Sequence, residues 1–212
     1  MFKKLVFAVM FVVVAVSLSF AEFGVIGRWG QLLGATDFDF NSVAVPDNRS
    51  EADAGVWGID LFFGKEGMFD LPEKISFGVR VGYSQFGKNH LIDPDAELTS
   101  KIFATTENLY IKLQLHKMFA VTGNAGVFTA FNTFEYTDLL TGKSKTDVSW
   151  QVLPNISGSA EFSPIDFLAV GFEIGYMFNG KFNYEDFNVT HTEIYRDISG
   201  FNYNFFVKFY LS

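Results

Sequence analysis

The chain of 212 residues carries 24 acidic and 16 basic side chains, and its formal charge of −8 argues against a nucleic-acid partner. It contains no cysteine, which excludes a disulfide framework, a thiolate metal site and a cysteine nucleophile. The length suits one domain, and the 27 phenylalanines and 19 glycines, with only 5 prolines, favour a chain of many strands.

The N-terminus has the three parts of a secretion signal. Lys3 and Lys4 are basic, residues 5–16 form an unbroken apolar run, and residues 19–21 have the small-x-small pattern of a cleavage site. We therefore predict a cleaved signal peptide over residues 1–21 and a single domain over residues 22–212. No later stretch reaches the about 18 consecutive apolar residues of a membrane helix, so only a closed barrel could place the mature chain in a membrane.

Alternation of apolar side chains with small or polar ones predicts strands, because successive residues of a strand point to opposite faces. The clearest case is the segment 168–178, where the even positions are apolar or aromatic and the odd positions are mostly small and include Glu173. The same alternation predicts eight strands in chain order: 23–33, 55–63, 75–84, 102–116, 119–136, 148–162, 168–178 and 200–212.

Two places weaken this pattern. Near residues 128–134 phenylalanine occurs on both faces, so the register stays open and a bulge is an alternative. Pro154 lies inside the strand predicted over 148–162, and proline counts against a central position in a sheet.

The connections alternate in length, with long polar loops predicted at residues 35–53, 87–101, 137–147 and 179–197. Bacterial outer-membrane barrels have an even number of strands, short periplasmic turns and long external loops. The sequence therefore predicts an all-β fold, an eight-stranded antiparallel up-and-down transmembrane β-barrel.

The whole mature sequence resembles the OmpA/OmpX-like group of small eight-stranded bacterial outer-membrane barrels. Besides the strand pattern, the final strand shows the family's alternating aromatic and apolar residues: Tyr203, Phe205, Val207 and Phe209. The family usually ends in Phe, whereas this chain closes on Leu211 and Ser212. The resemblance implies an outer-membrane location, contact with outer-membrane lipids including lipopolysaccharide, and recognition by the barrel-assembly machinery. It also implies a protein without enzymatic activity or cofactors, with a structural role or a role in surface interaction through its four external loops.

Seven charged residues fall on the small, polar faces that would line the barrel: Arg28, Asp60, Arg80, Lys112, Glu161, Glu173 and Lys208. Eight strands enclose a space that side chains just fill, so we predict that these charges pair in a structural network and leave no open pore. A narrow, gated ion path along the same column is the alternative. Glu161 and Glu173, on neighbouring strands, are expected to face each other with a cation between them.

Aromatic residues divide into two predicted groups. Those on the apolar faces suit the interfacial girdle of a membrane barrel: Trp29, Trp57, Tyr83, Trp150 and Tyr176. Those in the predicted external loops are candidates for contact with a partner or with lipopolysaccharide: Phe38, Phe40, Tyr184, Phe187 and Tyr195.

The three histidines, His90, His116 and His191, predict no catalytic or metal site, because no spacing ties a nucleophile to a base. No catalytic, cofactor-binding or metal residue is therefore predicted. Two alternatives stay open. One is a lipid-modifying enzyme of the outer membrane, with His, Ser and acidic side chains converging at the rim. The other is an exported soluble barrel, like a lipocalin, whose apolar faces point inward; the small, glycine-rich polar faces favour the membrane arrangement over it.

Overall fold

The computed structural model of the chain describes residues 22–33, 39–40, 49–52, 55–66, 72, 74–93, 96–184 and 194–211. The predicted signal peptide lies outside these ranges, as do Phe38, Phe187 and His191. Within the described ranges, no helix is long and apolar enough to cross a membrane.

The described residues form twelve strands: β1 (Glu22–Leu33), β2 (Asp39–Phe40), β3 (Arg49–Ala52), β4 (Gly55–Glu66), β5 (Ile75–Asp93), β6 (Ala96–His116), β7 (Phe119–Asp138), β8 (Ser144–Ile165), β9 (Leu168–Met177), β10 (Lys181–Tyr184), β11 (Ile194–Asp197) and β12 (Gly200–Tyr210). Eight of them, β1, β4, β5, β6, β7, β8, β9 and β12, form one closed sheet. The short strands β10, β11 and β2 form a separate small sheet that contains Phe40, Tyr184 and Tyr195.

Each strand of the closed sheet pairs antiparallel with the next one along the chain, and β12 returns to pair with β1. The predicted eight-stranded up-and-down barrel is thereby confirmed. Following paired residues once around the ring leads from Phe23 on β1 through Phe63, Val79, Leu109, Ala125, Ile156, Tyr176 and Phe201 to Leu33, again on β1. This shift of ten residues (33 − 23 = 10) tilts the strands by about 40° and gives the barrel a radius of about 8 Å.

Burial follows the predicted alternation. On β6 every even position from Ile102 to Lys112 is buried, and every odd position from Lys101 to Leu113 is exposed.

The two ends of the barrel differ in their connections. At the turn end, β6 is joined to β7 and β8 to β9 by short turns. The opposite end, called the loop end, carries the connections from β1 to β4 and from β9 to β12, and the tips of the β5–β6 and β7–β8 hairpins.

The interior changes character along the barrel axis. Its turn-end half holds the charged residues together with a small cluster of Ile26, Phe62, Tyr110 and Phe206. Its loop-end half also contains the buried polar residues Ser100, Asn132 and Arg196 but is mainly apolar. It is filled by a cluster that includes Leu32, Val56, Phe86, Ile102, Phe128, Phe134, Leu153 and Met177. Phe182 of β10 and Ile198, which follows β11, complete this cluster with fully buried side chains. The interior is therefore charged in the turn-end half of the barrel and mainly apolar in the loop-end half.

At the loop end, four strands extend beyond their predicted bounds. β5 continues to Asp93, β6 begins at Ala96, β7 continues to Asp138 and β8 begins at Ser144. The predicted loops 87–101 and 137–147 are therefore wrong, since most of their residues form hairpins that prolong the barrel sheet. We call residues 87–93, 96–101 and 132–154 the sheet extension. It projects past the loop end on one side, because β9 ends at Met177 and β12 begins at Gly200.

The register of β7 is continuous through the aromatic stretch. β6 and β7 pair without a break from Ala96–Asp138 to Gln114–Ala120, so residues 128–134 contain no bulge. Phe128 and Phe134 point inward and are buried, while Phe131 points outward and stacks on Phe103. Both faces of this stretch carry phenylalanine because its outward face belongs to the apolar wall and its inward face packs into the apolar loop-end cluster.

Pro154 is accommodated by its position at the end of a ladder. Its carbonyl accepts a hydrogen bond from the backbone N–H of Phe178 at 2.9 Å. In an antiparallel strand the N–H and C=O of one residue point to the same neighbour, so the missing donor of Pro154 faces β9. The β8–β9 ladder ends next to it, at Asn155–Met177, and the sheet loses little there.

Candidate functional site

All seven charged residues predicted to line the barrel lie inside it. Their exposed fractions range from 0% for Asp60 to 5% for Arg28, Arg80, Lys112 and Glu173. Strand alternation alone explains this placement, because each residue continues the inward phase of its strand.

The upper part of the network is built around Asp60. One of its carboxylate oxygens lies 2.8 Å from Nε of Arg28 and 2.8 Å from Nη2 of Arg80. Arg80 also donates through Nη1 to Glu173 at 2.5 Å. Arg28 completes its contacts with the hydroxyls of Ser84 and Thr106, the latter at 3.1 Å. Strands β1, β4, β5, β6 and β9 are therefore cross-linked through side chains.

The lower part lies nearer the turn end and is built around Glu161. Lys208 Nζ is 3.3 Å from Glu161 Oε2, and the Tyr210 hydroxyl donates to Glu161 Oε1 at 2.9 Å. Lys112 Nζ lies 2.7 Å from Glu22 and 3.7 Å from Glu161. Lys208 Nζ also lies 4.2 Å from the centre of the Phe62 ring, a cation–π contact.

Sequence reasoning missed Glu22, because the first strand was predicted to begin at Phe23. The even positions of β1 face inward, and extending that phase by one step back from Gly24 would have found this carboxylate. With it, the network holds four cations, Arg28, Arg80, Lys112 and Lys208, and four carboxylates, Glu22, Asp60, Glu161 and Glu173. Such a balance satisfies the requirement that buried charges be paired.

Glu161 and Glu173 do not face each other, so that prediction is wrong. The register pairs Glu161 with Gly171 and Ser159 with Glu173, because the β8–β9 hairpin shifts between Phe162 and Ile165. Each carboxylate has its own cation: Arg80 for Glu173 and Lys208 for Glu161.

The described interior leaves little free space. A cavity of about 20 Å³ lies between the two parts of the network, next to Thr122, Asn124 and Ser159. Toward the loop end, the apolar cluster and the buried Arg196 fill the mouth; Arg196 donates to the carbonyls of Gly87 and Ser100. This filling argues against the gated ion path, and the charged interior is incompatible with the soluble barrel whose apolar faces would point inward.

Apart from Thr105, Glu107 and Thr129, the outer wall is apolar between two belts of aromatic side chains. The turn-end girdle consists of Phe23, Phe77, Phe119, Phe162 and Phe209, and the buried Phe63 stacks on Phe23. The loop-end girdle includes four of the five aromatic residues predicted for it from the sequence: Trp29, Trp57, Tyr83 and Tyr176. Its other members are Phe103, Phe131, Phe201 and Tyr203. Trp150, the fifth, is 66% exposed and lies on the sheet extension opposite Phe131.

The histidines give no support to a lipid-modifying enzyme in the described part of the chain. His90 lies on the sheet extension and its ring Nε2 is 2.7 Å from Glu97, without a hydroxyl among its hydrogen-bond partners. His116 lies at the turn end, where its Nδ1 accepts the backbone N–H of Met118 at 3.4 Å. The described residues also contain no group of three or more His, Asp and Glu side chains that could hold a metal ion.

Within the described ranges, the sheet extension has an open edge on β8. Beyond Pro154 toward its start, β8 pairs with no described strand except β7, so alternate backbone groups at residues 146, 150 and 152 face away from the sheet. The side chains of Val148, Trp150 and Val152 project outward and are 62%, 66% and 49% exposed. Along this edge, the backbone N–H of Val148 donates a hydrogen bond to the carboxylate of Asp147 at 2.9 Å.

Comparison with known proteins gives a likeness of fold. No protein-family model and no curated protein sequence matches the chain. Among solved structures, the outer membrane protein OprG from Pseudomonas aeruginosa aligns with 91% of this chain and 97% of its own, at 13% identity and a TM-score of 0.51. The chain has the fold of a small outer-membrane β-barrel. Ail, the attachment invasion locus protein of Yersinia pestis, aligns with 90% of this chain and 98% of its own, at 9% identity and a TM-score of 0.46.

Proposed function

We propose that the chain is an integral protein of the outer membrane, exported through a cleaved signal peptide, with a closed interior and a role in interaction at the cell surface. One observation carries this proposal: the barrel is inverted relative to a soluble protein. Four cations and three carboxylates are buried inside it, and a fourth carboxylate, Glu22, is partly buried beside Lys112. In contrast, Ile59, Leu109 and Ile174 on the outer wall are more than half exposed. Only a surrounding apolar solvent makes that distribution favourable.

The spacing of the girdles supports the same proposal. On β1, Phe23 and Trp29 belong to opposite girdles, and on β7 the corresponding residues are Phe119 and Phe131. Six to twelve residues at about 3.3 Å each and a tilt of about 40° span roughly 15–30 Å along the axis, which brackets the about 25 Å apolar band of outer-membrane barrels. The aromatic residues of both girdles would then contact the headgroup region of the lipids, including lipopolysaccharide in the outer leaflet.

A closed interior supports a function at the surface. The mouth is filled by Phe182, Ile198 and Arg196, and the ion pairs lie below them. We propose no enzymatic activity and no pore. We also propose that the barrel-assembly machinery recognises the alternating aromatic residues of β12.

The sheet extension is the part of the loop end best suited to contact a partner. The open edge of β8 can accept an extended segment by strand addition, in which backbone hydrogen bonds supply affinity and side chains supply selectivity. The outward row Val148, Trp150 and Val152 favours a segment with β-branched or aromatic residues on the same face. Because Asp147 occupies the N–H of Val148, the incoming strand must displace that carboxylate, which favours a basic residue opposite it.

The chain's lack of cysteine allows a direct test of this orientation. Leu140, at the tip of the sheet extension, is 77% exposed, and Lys117 lies in the turn between β6 and β7. We expect Leu140→Cys to react with a membrane-impermeant maleimide on intact cells. The matched variant Lys117→Cys should react only after the outer membrane is permeabilised. Equal labelling of both variants on intact cells, or labelling of Lys117→Cys alone, would sink the proposal.

A further inference from the structure

Glu107 is a charged residue on the outside of the barrel wall. It occupies an outward position of β6, between Thr105 and Leu109, and its side chain is exposed. Its register partners are Val81 on β5 and Val127 on β7. The other described outward positions between the two girdles are uncharged: Val25, Gly27, Ile59, Leu61, Val79, Val81, Thr105, Leu109, Ile111, Val121, Gly123, Ala125, Val127, Thr129, Ile156, Gly158, Ala160, Val170, Phe172, Ile174, Phe205 and Val207.

Hydroxyl groups hold the carboxylate in place from the loop-end side. Thr105 Oγ1 donates to Glu107 Oε1 at 2.5 Å, and Thr129 Oγ1 donates to Oε2 at 3.4 Å. Phe103 and Phe131, which belong to the loop-end girdle, stack on each other beyond these threonines at 5.2 Å. The carboxylate therefore lies on the membrane side of the aromatic rings of β6 and β7.

A carboxylate at this place is under-satisfied. Its two oxygens offer about four acceptor sites, and two hydroxyls fill only two of them. In lipid an unpaired charge is costly, and an ionisable residue within a membrane-spanning segment is a functional-site candidate by default. Groups inside the barrel cannot donate hydrogen bonds to this carboxylate, because the Glu107 side chain points away from the interior.

The same outer face has a notch on β7 and β8, which begins four residues along β7 from Val127, the register partner of Glu107. Gly123 and Gly158 are directly paired and both face outward. A Cβ atom at Gly123 would meet nothing within 4 Å, and one at Gly158 would meet only the carbonyl oxygen of Thr122 at 4.0 Å. Ala125 and Ala160 flank the pair on the same face. Small residues of this kind let another membrane-embedded backbone approach closely.

From these two features we infer that the outer face of β6–β8 is an interface for a second membrane-embedded protein, which brings a Lys or Arg side chain to Glu107. The inference rests on the proposed function, because it requires the barrel to span the membrane. The partner's backbone packs into the notch, and its cation completes the acceptor sites of the carboxylate.

The charge of Glu107 distinguishes between the molecules that could bind this outer face. A second copy docked symmetrically through this face would place Glu107 opposite its own equivalent, and like charges repel in a low-dielectric medium. The nearest outward cations of the described wall, Lys65 and Lys101, lie beyond the girdles and cannot reach this depth. Lipid amines lie at the headgroup level, outside the aromatic rings. A different protein with a basic residue in its membrane-spanning part fits both features.

The test uses dicyclohexylcarbodiimide, a lipid-soluble reagent that modifies carboxyl groups in apolar surroundings, with mass spectrometry of the peptide that contains Glu107. Three samples are compared: outer membranes from cells that express the chain at its native level, the purified barrel in phosphatidylcholine vesicles, and the purified barrel in vesicles of lipids extracted from the same outer membranes. We expect modification in native membranes to be about tenfold slower than in either vesicle, as for an interface occupied about 90% of the time. Glu107→Gln should abolish the signal.

Matched glycine variants separate the partner from general folding effects. Gly123→Leu fills the notch and should raise modification in native membranes to the level in vesicles. Gly27→Leu alters an outward glycine on the opposite side of the barrel, also without an atom within 4 Å of its Cβ position, and should leave the protection unchanged. Equal modification of a folded, membrane-inserted barrel in all three samples would overturn the inference and leave the proposed function intact. Protection in the extracted-lipid vesicles would assign the cation to a lipid and overturn the protein partner. Absence of the chain from the membrane fraction would overturn both.

Discussion

Arg28 and Asp60 form an ion pair between neighbouring strands, with Nε 2.8 Å from Oδ2, and Asp60 has no exposed surface. The same carboxylate oxygen lies 2.8 Å from Arg80 on the third strand of the barrel. One small side chain thus holds two guanidinium groups inside the barrel. The closed interior depends on such contacts, since neither arginine could remain there without a partner.

The substitution Asp60→Asn should be strongly destabilising, because it leaves Arg28 buried without a carboxylate. Breaking a buried pair by removing one partner costs about 3–5 kcal/mol, and urea unfolding in lipid vesicles measures this loss. The double variant Asp60→Leu with Arg28→Leu should recover part of it, since Arg80 keeps Glu173. A loss for Asp60→Asn within about 0.5 kcal/mol of zero, the usual range of surface substitutions, would refute the structural role of the network.

Gly82 lies directly beside the Asp60 carboxylate, where only a residue without a side chain fits. A Cβ atom at Gly82 would come within 2.1 Å of Asp60 Oδ1 and 2.4 Å of the carbonyl oxygen of Ile59. We expect Gly82→Ala to destabilise the barrel by about 1–3 kcal/mol, the usual cost of overpacking. Gly27→Ala is the control, because its Cβ would meet nothing within 4 Å, and its effect should stay within about 0.5 kcal/mol. Similar effects of the two variants would contradict this packing.

The apolar filling of the mouth predicts a distinct result for Phe182→Ala. Phe182 is fully buried in the loop-end cluster, and truncating a buried phenylalanine costs about 3–5 kcal/mol. Protease sensitivity of the segment that contains β10 should therefore rise. Conductance across a planar bilayer should stay at the background level for both wild type and variant, because the ion pairs still fill the barrel below. Discrete channel openings in the wild type would show that the interior is not closed.

The tip of the sheet extension should respond to pH through Asp138. Its Oδ1 accepts the backbone N–H groups of Thr141 at 3.0 Å and Leu140 at 2.9 Å. These hydrogen bonds, that of Thr141 above all, hold the pKa of the Asp138 carboxyl below its usual value of 3.8. Since the folded pKa is the lower one, the stabilisation is complete above the unfolded pKa and is lost as the pH falls through the folded pKa.

Amide hydrogen exchange measures this effect directly. After correction for intrinsic exchange rates, protection of the Leu140 and Thr141 amides should decline only below pH 4. In Asp138→Ala the protection should be low at every pH. A decline centred above the usual pKa of an aspartate, or normal protection in Asp138→Ala, would contradict the assignment.

The strands and their inward faces could be read from the sequence because one physical rule governs the membrane-spanning part. There the outer face must be apolar, and the narrow interior forces small or pairable residues, as in the segment 168–178. The rule ceases to apply beyond the girdles. In the segment 144–147 neither face meets lipid, so its strand carries no apolar alternation and was predicted as a loop.

The pairing of the charges could not be read from the sequence, because it depends on register. A shift of the hairpin between Phe162 and Ile165 places Glu173 opposite Ser159 rather than Glu161. Arg80 and Glu173 meet across the barrel interior, from strands that are not neighbours in the sheet. Such contacts follow from the ten-residue shift around the ring, which no single strand reveals.

The central claim, a membrane-spanning barrel with a closed, charged interior, is tested most directly by fractionation of expressing cells followed by electrophoresis with and without boiling. We predict that the chain is recovered in the outer-membrane fraction, requires detergent for extraction, and migrates as a compact species in SDS that shifts on heating. A chain recovered in the soluble periplasmic fraction, with the same mobility before and after boiling, would contradict the account.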